Sequence, residues 1–370
     1  MESKFEMNGE DAAQESATFQ EAARRSQAIW EDLPRHPEKY RVLTGDRPTG
    51  PLHIGHLFGT LANRVRIQNL GASTFIVIAD YQVLTDRDTA EAVGANVREM
   101  ILDYLAVGLE PDNGRTFFFS HSHIPELNQL LLPFMSLVTT SELDRNPTVK
   151  EEIKAAGLRQ VNALMYTYPI HQAADILFCK GNVVPVGRDQ LPHLELTRKI
   201  ARRFNERFAP EAPIFPVPDA LLSDLPMVLG TDGQKMSKSR NNSIMLKMTA
   251  QETAKVIKGA KTDADRHISY DPQNRPEVAN LLRLISICSG EPCEAIAARI
   301  GDGGGGKLKA ELTEALNAHL APMRERRARF AQDPGYVTEV LRRGVARARE
   351  EGIRTLKEVR KAMNMDHGLD

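Results

Sequence analysis

The chain has 370 residues, 41% of them hydrophobic and 26% charged, with a formal net charge of −1. This is the make-up of a globular protein long enough for two domains. It excludes a membrane span, since no apolar run approaches about 18 residues, and a global field that would attract polyanions. Cys179, Cys288 and Cys293 are odd in number and show no CxxC spacing, so neither a disulfide framework nor a zinc site is expected. The polar Met1–Glu6 start predicts no secretory signal, and the expected location is cytoplasmic.

Residues 1–39 hold nine Asp/Glu against five Lys/Arg and few apolar side chains, which predicts an appended, partly mobile arm. A helix is expected over Ala17–Trp30, with Trp30, the single tryptophan, packing the arm down. Tyr40–Gly45 is a β-branched apolar run ended by Gly, hence a strand. Next comes the loop Pro48-Thr49-Gly50-Pro51-Leu52-His53-Ile54-Gly55-His56, and then a helix over Leu57–Leu70. Strand, Gly/Pro turn and helix together present backbone N–H groups and a positive dipole end, which suits phosphate. His53 and His56, at i and i+3, share one face of that first turn, and Gly55 removes a Cβ so that a ligand ring can lie on the backbone.

The alternation continues. Phe75–Asp80 reads as a strand buried on both faces, ending at Asp80-Tyr81-Gln82, where open α/β sheets bind ligands. A helix over Ala90–Val107 is closed by Gly108, and Thr116–Ser120 is a third strand. The βαβαβ order defines a Rossmann-like, doubly wound parallel sheet over 40–245. A helical insertion spans 116–165, a place for either a dimer contact or an ordinary core helix pair. Tyr168, Gln172 and Asp175 then fall at i, i+4 and i+7, on one helical stripe, which suggests a polar pocket inside the protein. Val183–Val186 is a short strand with Gly187-Arg188-Asp189-Gln190 at its carboxyl end, followed by a helix over Leu191–Phe208 with a basic side.

A second polar loop, Lys235-Met236-Ser237-Lys238-Ser239, precedes a stretch, 246–370, that reads as all helical, with its last helix packing back. The last 50 residues carry twelve Lys/Arg against eight Asp/Glu, a local excess that suits a phosphate backbone or simply a solvated face. Gly301–Lys307 satisfies GxxxxGK, but Leu308 stands where Ser/Thr is needed and no strand precedes it. It is read as a flexible linker between helices.

Taken singly, each polar loop is a weak signal. Together, His53-Ile54-Gly55-His56 and Lys235-Met236-Ser237-Lys238-Ser239 resemble, letter for letter, the two signatures of class I aminoacyl-tRNA synthetases. From about Val42 to Met363 the chain further resembles bacterial-type tryptophanyl-tRNA synthetases. The resemblance rests on Tyr104–Leu109, Asn146–Glu151, Gln172–Ile176, Val184–Gln190 and His193–Arg198. It implies amino-acid activation by ATP, with Mg²⁺ on the triphosphate, followed by transfer to tRNA(Trp). It also implies a homodimer across which the acceptor stem runs, an anticodon read by the C-terminal helices, and no DNA partner.

By position, the resemblance implies that His53, His56, Lys235 and Lys238 carry the catalysis. Arg47, Pro48, Thr49, Gly55, Gly187, Arg188, Asp189, Met227, Met236, Ser237 and Ser239 would complete the ATP site. Asp175 would accept from the indole N–H, and Tyr168 and Gln190 would hold the ammonium. No metal ligands within the protein are implied. Gln82 stands where His is common and Gln172 where Met is common, which makes the pocket wall more polar and resembles a divergent second type of bacterial enzyme. Tyr168-x₃-Gln172-x₂-Asp175 is also the spacing used around a phenol, so tyrosine remains an alternative substrate. A synthetase-like binding protein without ligase activity is a third reading.

Overall fold

The computed structural model describes residues 9–86, 90–156, 160–222, 228–236, 240 and 242–369. The expectations for Met227, Ser237, Lys238 and Ser239, and for the Arg188 side chain, lie outside the described residues.

Helix α1 (Gly9–Asp32) is longer than the expected Ala17–Trp30. Ala22 and Ile29 are buried, and the Trp30 Nε1 reaches the carbonyl of Leu222 at 3.4 Å while the Arg66 guanidinium lies 4.1 Å over its ring. β1 (Arg41–Asp46) leads through the Pro48–Pro51 loop into α2 (Ile54–His56), a single turn. One π turn, Leu57–Leu61, continues it into α3 (Ala62–Asn69). π turns of this kind often mark functional positions. Then follow β2 (Ser73–Ile78), α4 (Val93–Val107) and β3 (Thr116–Ser120). Gly108, at φ 104°, closes α4 in the left-handed conformation that a helix end of this kind requires.

Because Thr116–Ser120 is a strand of the sheet, the helical insertion expected over 116–165 starts only after Ser120. It consists of α5 (Pro125–Gln129), α6 (Leu131–Met135), α7 (Thr140–Asp144) and α8 (Pro147–Ala156). Arg203 donates to Glu142 at 2.7 Å and anchors this excursion, and that bond holds the Glu142 carboxyl down at about 2. The second half is α9 (Ala163–Leu177), β4 (Val183–Val186), α10 (Leu191–Phe208) and β5 (Asp219–Leu222). The sequence did not reveal β5, four residues in a proline-rich stretch.

The five strands are parallel in the order β3-β2-β1-β4-β5, and Arg41–Asp46 pairs in register with Ser73–Ile78. The order reverses between β1 and β4, so their carboxyl ends, Asp46 and Val186, flank the crevice where such sheets take ligands. Strand β5 is an edge, and α1 covers it, with Ser26 Oγ accepting from the Leu222 N–H at 2.9 Å.

The remaining helices are α11 (Ala250–Lys258), α12 (Pro276–Ser289), α13 (Cys293–Ile300), α14 (Gly304–Ala331) and α15 (Pro334–Ala362). Gly301–Lys307 is not a flexible linker. Gly301–Gly303 is a 3₁₀ turn and Gly304–Gly306 open α14. Helix α15 lies directly on β3: a Cβ at Gly344 would sit 1.8 Å from the Phe118 carbonyl, so only glycine permits this approach. Leu308, Leu312, Leu316 and Leu320, all fully buried, form a stripe of α14 in one core with Ile54, Leu57, Met100 and Tyr104. Each such side chain contributes about 1.5–3 kcal/mol of burial, which joins the C-terminal helices to the parallel-sheet half.

Candidate active site

The two polar loops meet. His53 is the N-cap of α2 and its N–H donates to His56 Nδ1 at 3.2 Å, with ring centroids 3.8 Å apart. A Cβ at Gly55 would lie 2.9 Å from the His53 ring and 3.5 Å from Met236 Sδ. The missing Cβ therefore first makes room for the imidazole and for the second loop. Next to that loop, the Ile54 N–H donates to the Ile244 carbonyl and the Leu246 N–H to the Leu52 carbonyl, each at 2.9 Å. The stretch that follows the second loop is thus zipped to the first.

Lys235 is exposed, and Met236 is buried beside Ile54, Ile244 and Leu284. Asn242 Nδ2 donates to Asp232 Oδ1 at 2.7 Å and to the Lys235 carbonyl at 3.2 Å. Asn280 of α12 exchanges two bonds with the backbone of Leu229. A buried framework therefore carries a solvent-facing lysine, a compact positive charge on a flexible stem.

On the opposite side of the turn, Asp46 ends β1. Burial acts to raise its carboxyl, but Arg64 at 2.5 Å prevails and, with the Tyr104 hydroxyl at 2.7 Å, holds it down at about 2. Arg47 pairs with Asp86, and the Thr49 N–H donates back to the Arg47 carbonyl at 2.8 Å. Pro48 is buried within this loop. The Gly187–Gln190 turn opens α10: the Gln190 N–H donates to the Gly187 carbonyl at 3.1 Å, and its side-chain amide to Asp189 at 3.2 Å.

Helix α9 serves two polar clusters. Tyr168 faces His193 of α10, with Oη and Nε2 2.9 Å apart, and burial together with Glu152 raises its pKa strongly. His193 is fully buried, which pushes its imidazole down to about 4, and its Nδ1 lies 3.2 Å from Asn146 Nδ2. Burial raises the Glu152 carboxyl, and Arg47, Asp86 and Asp189 are close enough to act on it. The Arg47–Thr49 loop and the Tyr168 cluster are therefore neighbours.

The second cluster surrounds Asp175. His121 Nε2 lies 2.9 Å from Asp175 Oδ1, the His121 and His171 rings are 4.6 Å apart, and His171 Nε2 is 2.8 Å from Asn128 Oδ1. Burial lowers the His171 pKa. Tyr81 stacks on His121, and the 3₁₀ turn Tyr81–Thr85, which carries the half-buried Gln82, packs on α9. Gln172, also half-buried, sits one turn before Asp175.

The stripe expected on α9 is therefore real, but its two ends look into different surroundings. Sequence reasoning missed His121, His171, His193 and Glu152. His121 stands just past the carboxyl end of β3, a position that could have flagged it. His121, His171 and Asp175 offer ligand atoms all within 4.8 Å of one another, a spacing a metal could bridge. His171 and Asp175 are four residues apart on α9, but His121 comes from a distant segment, so no single stretch of sequence announces the whole set.

Two touching signature loops at the switch point of a parallel sheet are the architecture of an adenylate-forming synthetase. Residues 36–321 match the family profile described as "tRNA synthetases class I (W and Y)", and the chain belongs to this family. Among its relatives, the tryptophan–tRNA ligase of Treponema pallidum (strain Nichols) is 39% identical over 346 residues, covering 88% of this chain and 97% of that protein. The tryptophan–tRNA ligase of Clostridium longisporum is 41% identical over 336 residues, with 88% and 97% covered. Of solved structures, a tryptophanyl-tRNA synthetase from Campylobacter jejuni complexed with ADP and tryptophan superposes with a TM-score of 0.76 at 29% identity, covering 88% of this chain and 99% of that one.

Proposed function

We propose that the protein is a tryptophan–tRNA ligase: it activates L-tryptophan with ATP to the adenylate and pyrophosphate, then transfers the acyl group to tRNA(Trp). The observation that carries this reading is the contact between the two signature loops through Gly55 and Met236, at the carboxyl end of β1. The tryptophan–tRNA ligases it resembles along nearly their whole length support the choice of amino acid.

Attack of the carboxylate on the α-phosphorus needs little covalent help from protein. The chain's task is to position the reactants and stabilise charge. In this reading His53 and His56 donate to phosphate and ribose oxygens, and Lys235 with Lys238 takes up charge growing on the leaving pyrophosphate. Arg47, Pro48 and Thr49 cover the nucleotide, while Gly187, Arg188, Asp189 and Met227 border ribose and adenine, and Ser237 and Ser239 add neutral donors. Mg²⁺ bound with the triphosphate would neutralise further charge on the phosphate oxygens; the Asp46 carboxylate beside the turn is paired with Arg64 and Tyr104 and would not be free to hold it.

Asp175, with one oxygen facing His121, offers the other to the indole N–H, a donor-only group. Gln82 and Gln172 line the same pocket, and Tyr168 and Gln190 hold the ammonium. Two copies pair through the insertion, where Leu132 is 74% exposed and Met135 stands beside it on α6. The acceptor stem crosses the pair, the C-terminal helices meet the anticodon, and the enzyme works in the cytoplasm.

Amino-acid-dependent ATP–pyrophosphate exchange, run with tryptophan and tyrosine side by side, tests the reading. Exchange with tryptophan alone is expected. Exchange with tyrosine would assign the Asp175 cluster to a phenol, and none with either would leave a binding protein.

A further inference from the structure

Helix α4 carries Glu99 and Asp103 one turn apart on a single face. Asp103 is fully buried, and its carboxylate joins distant parts of the chain. One oxygen accepts from the backbone N–H of Leu52 at 3.0 Å, immediately before His53. The other accepts from Arg327 Nε of α14 at 2.8 Å. The same guanidinium donates to Glu99 at 2.8 Å, where Lys247 also ends at 3.4 Å. The first signature turn is therefore suspended from two sides: the Ile244–Leu246 stretch holds one, and a single buried carboxylate holds the other.

We propose that Arg327 is a positioning residue for adenylate formation, acting through Asp103 on the backbone of the His53–His56 turn. A buried carboxylate is stable beside a hydrogen-bonded guanidinium; without it, the group must take up a proton or swing toward water. Either response disturbs the acceptor that fixes the Leu52 N–H, and with it the entry to His53. Adenylate formation depends on placement, and a misplacement of about 1 Å can cost on the order of a hundredfold. The Asp175 cluster hangs on the turn after β3, on α5 and on α9, and among the described residues it shares no hydrogen bond with this network. The disturbance therefore falls on the nucleotide and spares the amino acid. Through this link the C-terminal helices set the geometry of the nucleotide turn. The proposal rests on reading that turn as the ATP site.

Arg326 provides the control. Its Nε donates to the Ala106 carbonyl at 2.7 Å, so it seats α14 on α4 without touching Asp103. The full chain carrying Arg327→Gln, Arg327→Lys, Arg326→Gln or His56→Ala is assayed by tryptophan-dependent ATP–pyrophosphate exchange, normalised to active sites by adenylate burst. For Arg327→Gln, kcat is expected to fall about ten- to a hundredfold and KM for ATP to rise, with KM for tryptophan within about twofold of the parent. Arg327→Lys recovers part of the loss, and it carries the comparison alone if the glutamine variant does not fold. Arg326→Gln behaves as the parent per active site. Arg327 variants that match Arg326→Gln, while His56→Ala is inactive, would overturn the proposal and leave the reading of the turn intact. A fully active His56→Ala would overturn both.

Discussion

The Nε2 of His193 stands 2.9 Å from the Tyr168 hydroxyl, and Asn146 decides which of them donates. Asn146 Oδ1 accepts from the backbone N–H groups of Thr148 and Val149, at 3.1 and 3.4 Å, so its amide nitrogen must be the atom facing His193 Nδ1. An amide nitrogen only donates. Nδ1 is therefore bare, and Nε2 carries the hydrogen toward Tyr168. Tyr168 accepts it and gives its own hydrogen to Glu152. The phenolic oxygen thus keeps one lone pair for a further donor, which an ammonium can supply.

Replacing His193 by Phe removes that order while filling the volume. KM for tryptophan in pyrophosphate exchange is expected to rise about five- to thirtyfold, the value of one buried hydrogen bond left unmade plus some disorder of the ring. KM for ATP should not move. His193→Gln can still accept from Asn146 and donate to Tyr168, so it should recover most of the affinity. A phenylalanine variant with unchanged KM for tryptophan would separate Tyr168 from the ammonium.

The same imidazole makes stability depend on pH. Burial lowers its pKa from the usual 6.5 to about 4 in the folded protein, so the native state holds it neutral. Its contribution is fully present above the unfolded value and is lost as pH falls from about 6.5 toward 4, by at most about 3 kcal/mol. His171, also lowered by burial, acts in the same direction, whereas the raised Glu152 and Asp103 act in the opposite one. A difference between variants isolates the contribution of His193. Urea unfolding of the parent and of His193→Gln at pH 7 and pH 5 should show the glutamine variant losing less stability on acidification. Equal losses would mean that His193 is already solvated.

Much of this site is legible in the sequence. The first four strands are runs of β-branched and aromatic residues ended by Gly or a polar turn, and both signature loops are local strings. Their meeting at Gly55 and Met236 follows once the sheet order is known. What stayed hidden has one physical cause: it depends on contacts between distant segments. His121 and Asp175 belong to the ends of β3 and α9, and no window of sequence contains both. His193 lies in an amphipathic helix where a buried histidine looks like any core residue. Strand β5 is too short, among prolines, to show a period. Trp30 was legible as a packing residue, but its partners, Arg66 and the edge of β5, were not.

Asp175→Asn tests the pocket's specificity. The amide keeps the size and loses the charge, and its orientation must now serve both His121 and the indole. A hydrogen bond to a charged group contributes about 1.5–3 kcal/mol, so kcat/KM for tryptophan should fall about ten- to a hundredfold with KM for ATP unchanged. Competition by indole analogues lacking the N–H should be affected less than that by indole itself. If both weaken equally, Asp175 shapes the pocket without bonding the substrate.

The Arg64–Asp46 pair tests how the sheet end is held. Arg64 is 2% exposed, and its two terminal nitrogens reach the Asp46 oxygens at 2.5 and 3.1 Å and the Gly45 carbonyl at 3.2 Å. Arg64→Met keeps the aliphatic bulk but strands a carboxylate left with the Tyr104 hydroxyl and the nearby His56. Breaking a buried pair from one side costs about 3–5 kcal/mol, which should appear as a lower urea midpoint at pH 7. The Asp46 carboxyl is depressed to about 2 in the parent, so its contribution is present above its ordinary 3.8 and is lost as pH falls through 2. The gap between parent and variant should therefore narrow below about pH 4. Arg64→Met combined with Asp46→Asn should be more stable than Arg64→Met alone, because the stranded charge is gone. A double variant no more stable than the single one would show that Arg64 contributes by packing against Tyr104 rather than by neutralising Asp46.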